Sequence, residues 1–152
     1  MPMHRIYTVS GLYTSDEKAA LSKSITALYT STLPAFYVVV LFIDVARDSY
    51  FIGGEPNNKF VRFNIQHLAR HFTDERKIGF MKAYEQVVKS FTADKGLDWE
   101  VNIDEADPIA WHENGLSPPA PKSEGEDTWK QLNKAVPFDG PTFSDNIVSN
   151  RI

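Results

Sequence analysis

Two segments of this chain repeat the same alternation of apolar stretches and helical stripes. His4 to Val9 reads as a short strand. Thr14-Ser15-Asp16-Glu17 opens a helix, with Thr14 as N-cap and Glu17 three residues on, the capping-box spacing. Leu21, Ile25 and Leu28 then fall on one apolar stripe. Pro34 breaks the chain, and Tyr37 to Ile43 is an aromatic and β-branched run apolar on both faces, as in a strand buried on both sides. The order then recurs: strand-like Phe60 to Ile65, a helix opening at Thr73-Asp74-Glu75-Arg76 with Phe80, Tyr84, Val87 and Phe91 as its stripe, Gly96 as punctuation, and a strand from Leu97 to Ile103.

A shift of 59 residues lays Thr14 on Thr73, Leu21 on Phe80, Ile25 on Tyr84, Leu28 on Val87, Ile6 on Ile65 and Phe42 on Val101. Capping and stripe positions coincide although identities are few, which implies a duplicated β-α-β unit. The expected class is α/β (α+β): each unit gives a parallel strand pair with a right-handed crossover, and two units give a four-stranded sheet with both helices on one face. Because the strands read as apolar on both faces, the bare face is expected to pack against partner subunits.

Between the halves, Gly53-Gly54 and Pro56-Asn57-Asn58 mark turns around a hairpin-like piece. After residue 116 the composition changes. Ser117-Pro118-Pro119-Ala120-Pro121 cannot be regular structure, and Trp129 to Leu132 suggests a short helix. The expected organisation is one domain over residues 1–116, with halves of about 2–45 and 60–103. Residues 117–152 follow as an extension, an arm lying over the assembled subunits or over a neighbour's site, with a frayed end.

Composition narrows the function classes. The 152 residues suit one domain with a core, and 42% hydrophobic residues are globular in character. Net charge is −4, with Lys and Arg scattered among the acids, so no basic face for nucleic acid is evident. There is no cysteine, which excludes disulfides, thiolate catalysis and Cys metal sites. The longest apolar run, Phe36 to Ile43, is too short to span a bilayer, and no signal segment opens the chain. A soluble cytoplasmic protein with neither nucleic acid nor membrane as partner is the expectation.

Pro2 changes this picture. Removal of Met1 leaves a secondary amine at the start of a strand. An α-amino group titrates near pH ~7.7–8, and burial or nearby cations lower that value. Such a nitrogen can act as a general base, or as an acid when charged. Alone, Pro2 reads more readily as a terminal residue that needs no backbone donor.

With this layout the chain resembles the tautomerase superfamily, and in particular its cis-3-chloroacrylic acid dehalogenase-like group, including fungal members described as oxalocrotonate tautomerases. The resemblance runs from Pro2 to about Leu116. It rests on Pro2, Ile25-Thr26, Tyr50-Phe51-Ile52-Gly53-Gly54, the segment His67-Leu68-Ala69-Arg70-His71-Phe72-Thr73, and Glu113-Asn114-Gly115. It implies a homotrimer of fused β-α-β pairs with the proline at the bottom of a pocket lined partly by a neighbouring subunit. It also implies cofactor- and metal-independent tautomerisation, hydration-dependent dehalogenation or decarboxylation of a small carboxylic acid.

Carried over residue by residue, Pro2 matches the catalytic proline, and Arg70 matches one of two arginines that bind the substrate carboxylate. His67 stands where the other arginine would be, which keeps a donor but loses the bidentate fork. Glu113 matches the water-activating glutamate. Tyr29 replaces the first-helix histidine of the dehalogenases, and Asn102 replaces their strand tyrosine. These departures argue against haloacrylate dehalogenation and for another small acid. His67 and His71 are four apart, but on a strand end and loop rather than a helix, so no metal site follows. Three functions stay open: an enzyme acting on a small unsaturated or 2-keto acid, a non-catalytic trimeric homologue that binds ligand or serves structure, and a haloacrylate dehalogenase or hydratase.

Overall fold

The computed structural model describes residues 1–68 and 72–145. Its centre is a four-stranded sheet in the order β2-β1-β5-β6, built from β1 (Pro2–Val9), β2 (Val39–Val45), β5 (Phe60–His67) and β6 (Asp98–Glu105). β1 pairs parallel with β2, β5 pairs parallel with β6, and the two halves meet through the antiparallel pair β1/β5. The hairpin between the halves is β3 (Phe51–Ile52) and β4 (Glu55–Pro56), closed by Gly53 and Gly54 at positive φ. No helix among the described residues is long and apolar enough to cross a membrane.

Helices α1 (Ser15–Ala27) and α2 (Asp74–Val88) start where the sequence places them. Thr14 and Thr73 are the N-caps, each accepting from the backbone N–H three residues on. Such a cap is worth about 1 kcal/mol. α1 also has the reciprocal bond, Thr14 N–H donating to Glu17 Oε2 at 2.8 Å, which completes the capping box. Leu21 and Ile25 of α1 and Tyr84 and Val88 of α2 are fully buried in one core with Ile6, Val61, Phe63 and Ile65. Each such aliphatic side chain contributes about 1.5–3 kcal/mol. Residue 59 onward thus repeats the first half, as the sequence shift implies.

Two expectations need correction. The apolar run at Tyr37 is displaced: Tyr37 closes a short 3-10 turn, and the strand begins at Val39. Nor is the bare face of the sheet apolar throughout. Strand alternation puts Val39, Leu41 and Ile43 there at the β2 edge, but Arg62, Asn64 and Gln66 from β5 and Glu100, Asn102 and Asp104 from β6. A polar ladder ties them. Arg5 donates to Asn64 Oδ1 and Gln66 Oε1 at 3.3 Å each, Asn64 Nδ2 donates to Asp104 Oδ2 at 2.7 Å, and Arg62 pairs with Glu100 at 3.0 Å. That face is wet on one half and greasy on the other.

The segment after residue 116 packs on its own domain rather than leaving it. α3 (Glu124–Leu132) buries Trp129 completely, against Phe36, Tyr37 and Phe138. Trp129 Nε1 donates to Val136 O at 2.7 Å. A Cβ on Gly125 would lie 2.6 Å from the Phe138 ring, so only glycine allows this approach. Residues 146–152, the expected frayed end, lie outside the described residues.

Candidate active site

The antiparallel crossing of β1 and β5 sets Pro2 opposite His67. The ladder extends one residue further, Leu68 N–H donating to Met1 O at 3.2 Å. Both Pro2 and His67 are buried on the helix-bearing face. Above them lies a cavity of about 210 Å³. Tyr29, in the turn that follows α1, and Leu33 form one wall. Phe72, just before α2, and Phe80, two turns into it, form the other. Arg76, exposed on the first turn of α2, stands at the mouth with Thr32.

The rings interlock. Tyr29 and Phe80 centroids are 5.6 Å apart, Phe72 and Phe80 5.7 Å, and His67 meets Phe72 at 4.8 Å and Phe80 at 5.2 Å. Two polar pairs lie within this aromatic shell. The Tyr29 hydroxyl is 3.0 Å from His67 Nε2, and the Tyr84 hydroxyl is 3.2 Å from His4 Nδ1. His4 is two residues along from Pro2 on the same strand face, edge-on to Tyr29 and stacked parallel to Tyr84.

Burial decides the protonation of all four groups. Desolvation lowers His67 to about 4, aided by the positive N-terminus and opposed by Glu105. It lowers His4 to about 3, with His67 adding to the effect. Desolvation also raises Tyr29 and Tyr84 well above the usual phenol value, with Tyr84 adding to the shift of Tyr29 and Glu85 to that of Tyr84. At neutral pH the site floor is uncharged. His67 Nδ1 and His4 Nε2 are buried with no hydrogen-bond partner, and an unmade bond of this kind costs about 1–3 kcal/mol.

Of the residues singled out from sequence, Pro2, Tyr29 and His67 converge on this cavity. Arg70 lies outside the described residues, as does His71. Asn102 is on the bare face of the sheet, away from its own Pro2, with Oδ1 buried and unpartnered. Glu113 sits on a tight turn, exchanging both backbone hydrogen bonds with Leu116 at 2.9 Å while Asn114 and Gly115 take positive φ. It does not line the cavity within one chain. Arg76, Phe72 and Phe80 were not singled out as site residues. The 59-residue shift held the one available signal, since it lays the cationic Arg76 on Glu17 of the first capping box.

The protein family described as "Putative oxalocrotonate tautomerase enzyme" matches residues 1–134. The chain belongs to the tautomerase superfamily. The match takes in α3 and runs past residue 116. A protein of the thermophilic fungus Aspergillus fumigatus, solved as a crystal structure, is 41% identical; 91% of this chain and 98% of that one superpose with a TM-score of 0.86. Native RhCC of Rhodococcus jostii RHA1 is 38% identical, with 90% and 99% covered and a TM-score of 0.86. The tautomerase fold is shared also with N1, a member of the cis-3-chloroacrylic acid dehalogenase family, at 18% identity, 86% and 97% coverage and a TM-score of 0.70. No curated protein matches the sequence.

Proposed function

We propose that the protein is a cofactor-independent isomerase that interconverts the enol and keto forms of a small 2-keto or unsaturated carboxylic acid, with the Pro2 nitrogen as the proton carrier. The observation that carries this reading is the burial of Pro2 in the aromatic cavity beside an uncharged Tyr29–His67 pair. Once Met1 is removed, the Pro2 amine loses the amide bond that suppresses its basicity. In the keto-to-enol direction the neutral amine takes a proton from the carbon beside the carbonyl, and the carbonyl oxygen takes one up. In the reverse direction the charged amine returns a proton to carbon. No co-reactant is consumed.

Tyr29 suits the oxygen side of this exchange. Its hydroxyl stays protonated, because burial raises its pKa. When His67 carries its hydrogen on Nε2, it donates to the Tyr29 oxygen and leaves the phenolic hydrogen for a ligand. Arg76 supplies a guanidinium at the mouth, where Arg–carboxylate pairing is directional and strong. In none of the ion pairs among the described residues does Arg76 take part. Arg70 is assigned the same task by family resemblance.

A trimer is part of the proposal. It would cover the apolar β2 edge of the bare face, where Leu41 is 44% exposed. It also gives Asn102 and Glu113 a route to the site, across a subunit boundary rather than within one chain. Haloacrylate dehalogenation is the weaker reading, because Tyr29 and Asn102 stand where the dehalogenases carry a histidine and a tyrosine.

The test is intact mass, to establish loss of Met1, followed by ketonisation of phenylenolpyruvate by wild type and Pro2→Ala. General acid–base catalysis by one positioned group is worth ~10²–10⁴-fold, and a fall of that size is expected. Equal rates above background in the two proteins would leave a ligand-binding homologue as the better description.

A further inference from the structure

We infer that His4 and Tyr84 are positioning residues: the hydrogen bond between them fixes the angle of the His4 ring, and that ring holds Tyr29 with its hydroxyl on His67. This rests on the role given above to the Tyr29–His67 pair and extends it to two side chains that do not line the cavity. The repeat points to them first. The 59-residue shift lays His4 on Phe63 and Tyr84 on Ile25. In that half, where Val61 stands in place of Pro2, both positions are apolar and fully buried. The fold therefore closes without polar groups there, yet the Pro2 half carries them at two positions that bond to each other. The departure is unfavourable in itself, because His4 Nε2 is buried without a hydrogen-bond partner and a dehydrated polar atom left unmet destabilises the fold.

The packing shows what the pair does. Rotation of an imidazole about χ2 has no sharp preference, so the angle of the His4 ring is left to its surroundings. The Tyr84 hydroxyl meets His4 Nδ1 at 3.2 Å, and the two rings stack with an interplanar angle of 3°. Held in this way, the His4 ring stands at 67° to the Tyr29 ring with centroids 5.6 Å apart. His67 and Phe80 meet Tyr29 at 5.8 and 5.6 Å, and Tyr84 backs Phe80 at 5.7 Å. The Tyr29 backbone is tied separately, since the Thr32 and Leu33 N–H groups donate to Tyr29 O at 2.9 and 2.8 Å. What His4 and Tyr84 add is the orientation of the phenol, which sets its 3.0 Å contact with His67 Nε2.

The experiment separates positioning from packing. Tyr84→Phe deletes one oxygen, and the double variant His4→Phe/Tyr84→Phe gives this end the apolar chemistry of the other. With Met1 removed, ketonisation of phenylenolpyruvate by Tyr84→Phe should show kcat lowered ~10–10²-fold, the cost of a small misplacement, with KM within about twofold of wild type. The double variant should recover in denaturant titration the stability that Tyr84→Phe loses, because the unmet His4 nitrogens are gone, and yet keep the low kcat. Nitrogen NMR of the histidine rings gives a readout free of turnover. His67 should hold one neutral tautomer in wild type and a mixture in both variants, as the Tyr29 contact loosens. Wild-type kcat in the double variant, or a His67 spectrum unchanged in both variants, would overturn the inference. Wild-type turnover in Pro2→Ala would sink the catalytic reading instead, and the His67 spectra would then decide the positioning role alone.

Discussion

The two ends of the sheet are built to the same plan and finished differently. The 59-residue shift carries Pro2 to Val61 and Tyr29 to Val88 and, in the other direction, Phe80 to Leu21, Arg76 to Glu17 and His67 to Thr8. At the Val61 end all of these positions but Glu17 are closed. Val61, Val88, Leu21 and Thr8 are fully buried. The polar atoms there have partners: Tyr13 hydroxyl donates to Phe91 O at 2.6 Å, Thr92 Oγ1 donates to Val88 O at 2.8 Å, Thr8 Oγ1 donates to Asp44 at 3.3 Å, and Glu17 pairs with Lys95. At the Pro2 end the same plan holds a cavity, two histidine nitrogens without partners and a cation at the rim. The duplication provides one end that stabilises the fold and one whose polar groups are left for something else to meet.

The sharpest way to break this comparison is to alter equivalent positions. Blocking the Pro2 nitrogen, by retaining Met1 or by acetylating the processed terminus, should cost ~10²–10⁴-fold in turnover, with little change in melting temperature. Val61→Ala should do the reverse. It removes two methyl groups from a fully buried site, which costs about 2–3 kcal/mol, while turnover per folded molecule stays close to wild type. Denaturant titration and steady-state rates on both variants check the pair. If Val61→Ala abolished turnover while the protein stayed folded, the division between the two ends would be wrong.

Acid should distinguish the ends next. His67 and His4 titrate at about 4 and about 3 in the folded protein, below the ~6.5 of an unfolded chain. The unfolded state therefore binds protons first as pH falls. Their contribution is complete above pH ~6.5 and is lost as pH drops toward the folded values, on the order of a few kcal/mol by pH 4. At the Val61 end, Glu17 is held at about 2, chiefly by Lys95, so its contribution persists until pH falls below the ordinary carboxylate range. Unfolding free energies at pH 7, 5.5 and 4.5 should show an early loss that His67→Gln reduces. An unchanged slope in that variant would mean the loss arises elsewhere.

The local features of this architecture were legible because local chemistry determines them. Thr14 and Thr73 cap because a hydroxyl at that position meets an orphan N–H whatever surrounds it. The stripes at Leu21, Ile25 and Tyr84 bury because their spacing leaves no other face. Tertiary effects were not legible. Tyr37 reads as strand by propensity, yet packs in a 3-10 turn against Trp111 and Trp129. The bare face reads as apolar only until the β1/β5 register is known, since that register decides which residues share it. At the site, family resemblance pointed to Pro2, Tyr29 and His67, and the cavity brings them together. Arg76 was passed over because an exposed arginine in a first helical turn is ordinary; its one signal in the sequence is the departure from Glu17 in the repeat, and the cavity beside it gives that departure meaning. Glu113 and Asn102 line no part of the cavity in their own chain, so a role there requires a neighbouring subunit.

Arg76 also gives the comparison its finest test. In α1 the third helical residue is Glu17, which completes a capping box and suits the positive end of the helix dipole. In α2 the third helical residue is Arg76, which cannot accept the Thr73 N–H and places a cation where the dipole disfavours one. The second helix thus starts less favourably than the first at the one position that faces the cavity. Arg76→Glu should repair that start, raising stability by about 0.5–1 kcal/mol, because the new carboxylate can both close the box and oppose the dipole. The same change should weaken carboxylate binding well beyond the effect of Arg76→Gln, since it replaces attraction with repulsion. Denaturation midpoints and acid titrations on the two variants separate these effects. Stability that rises as acid binding falls would show that the departure from the repeat serves the ligand rather than the helix; a variant that binds acids as well as wild type would remove Arg76 from the site.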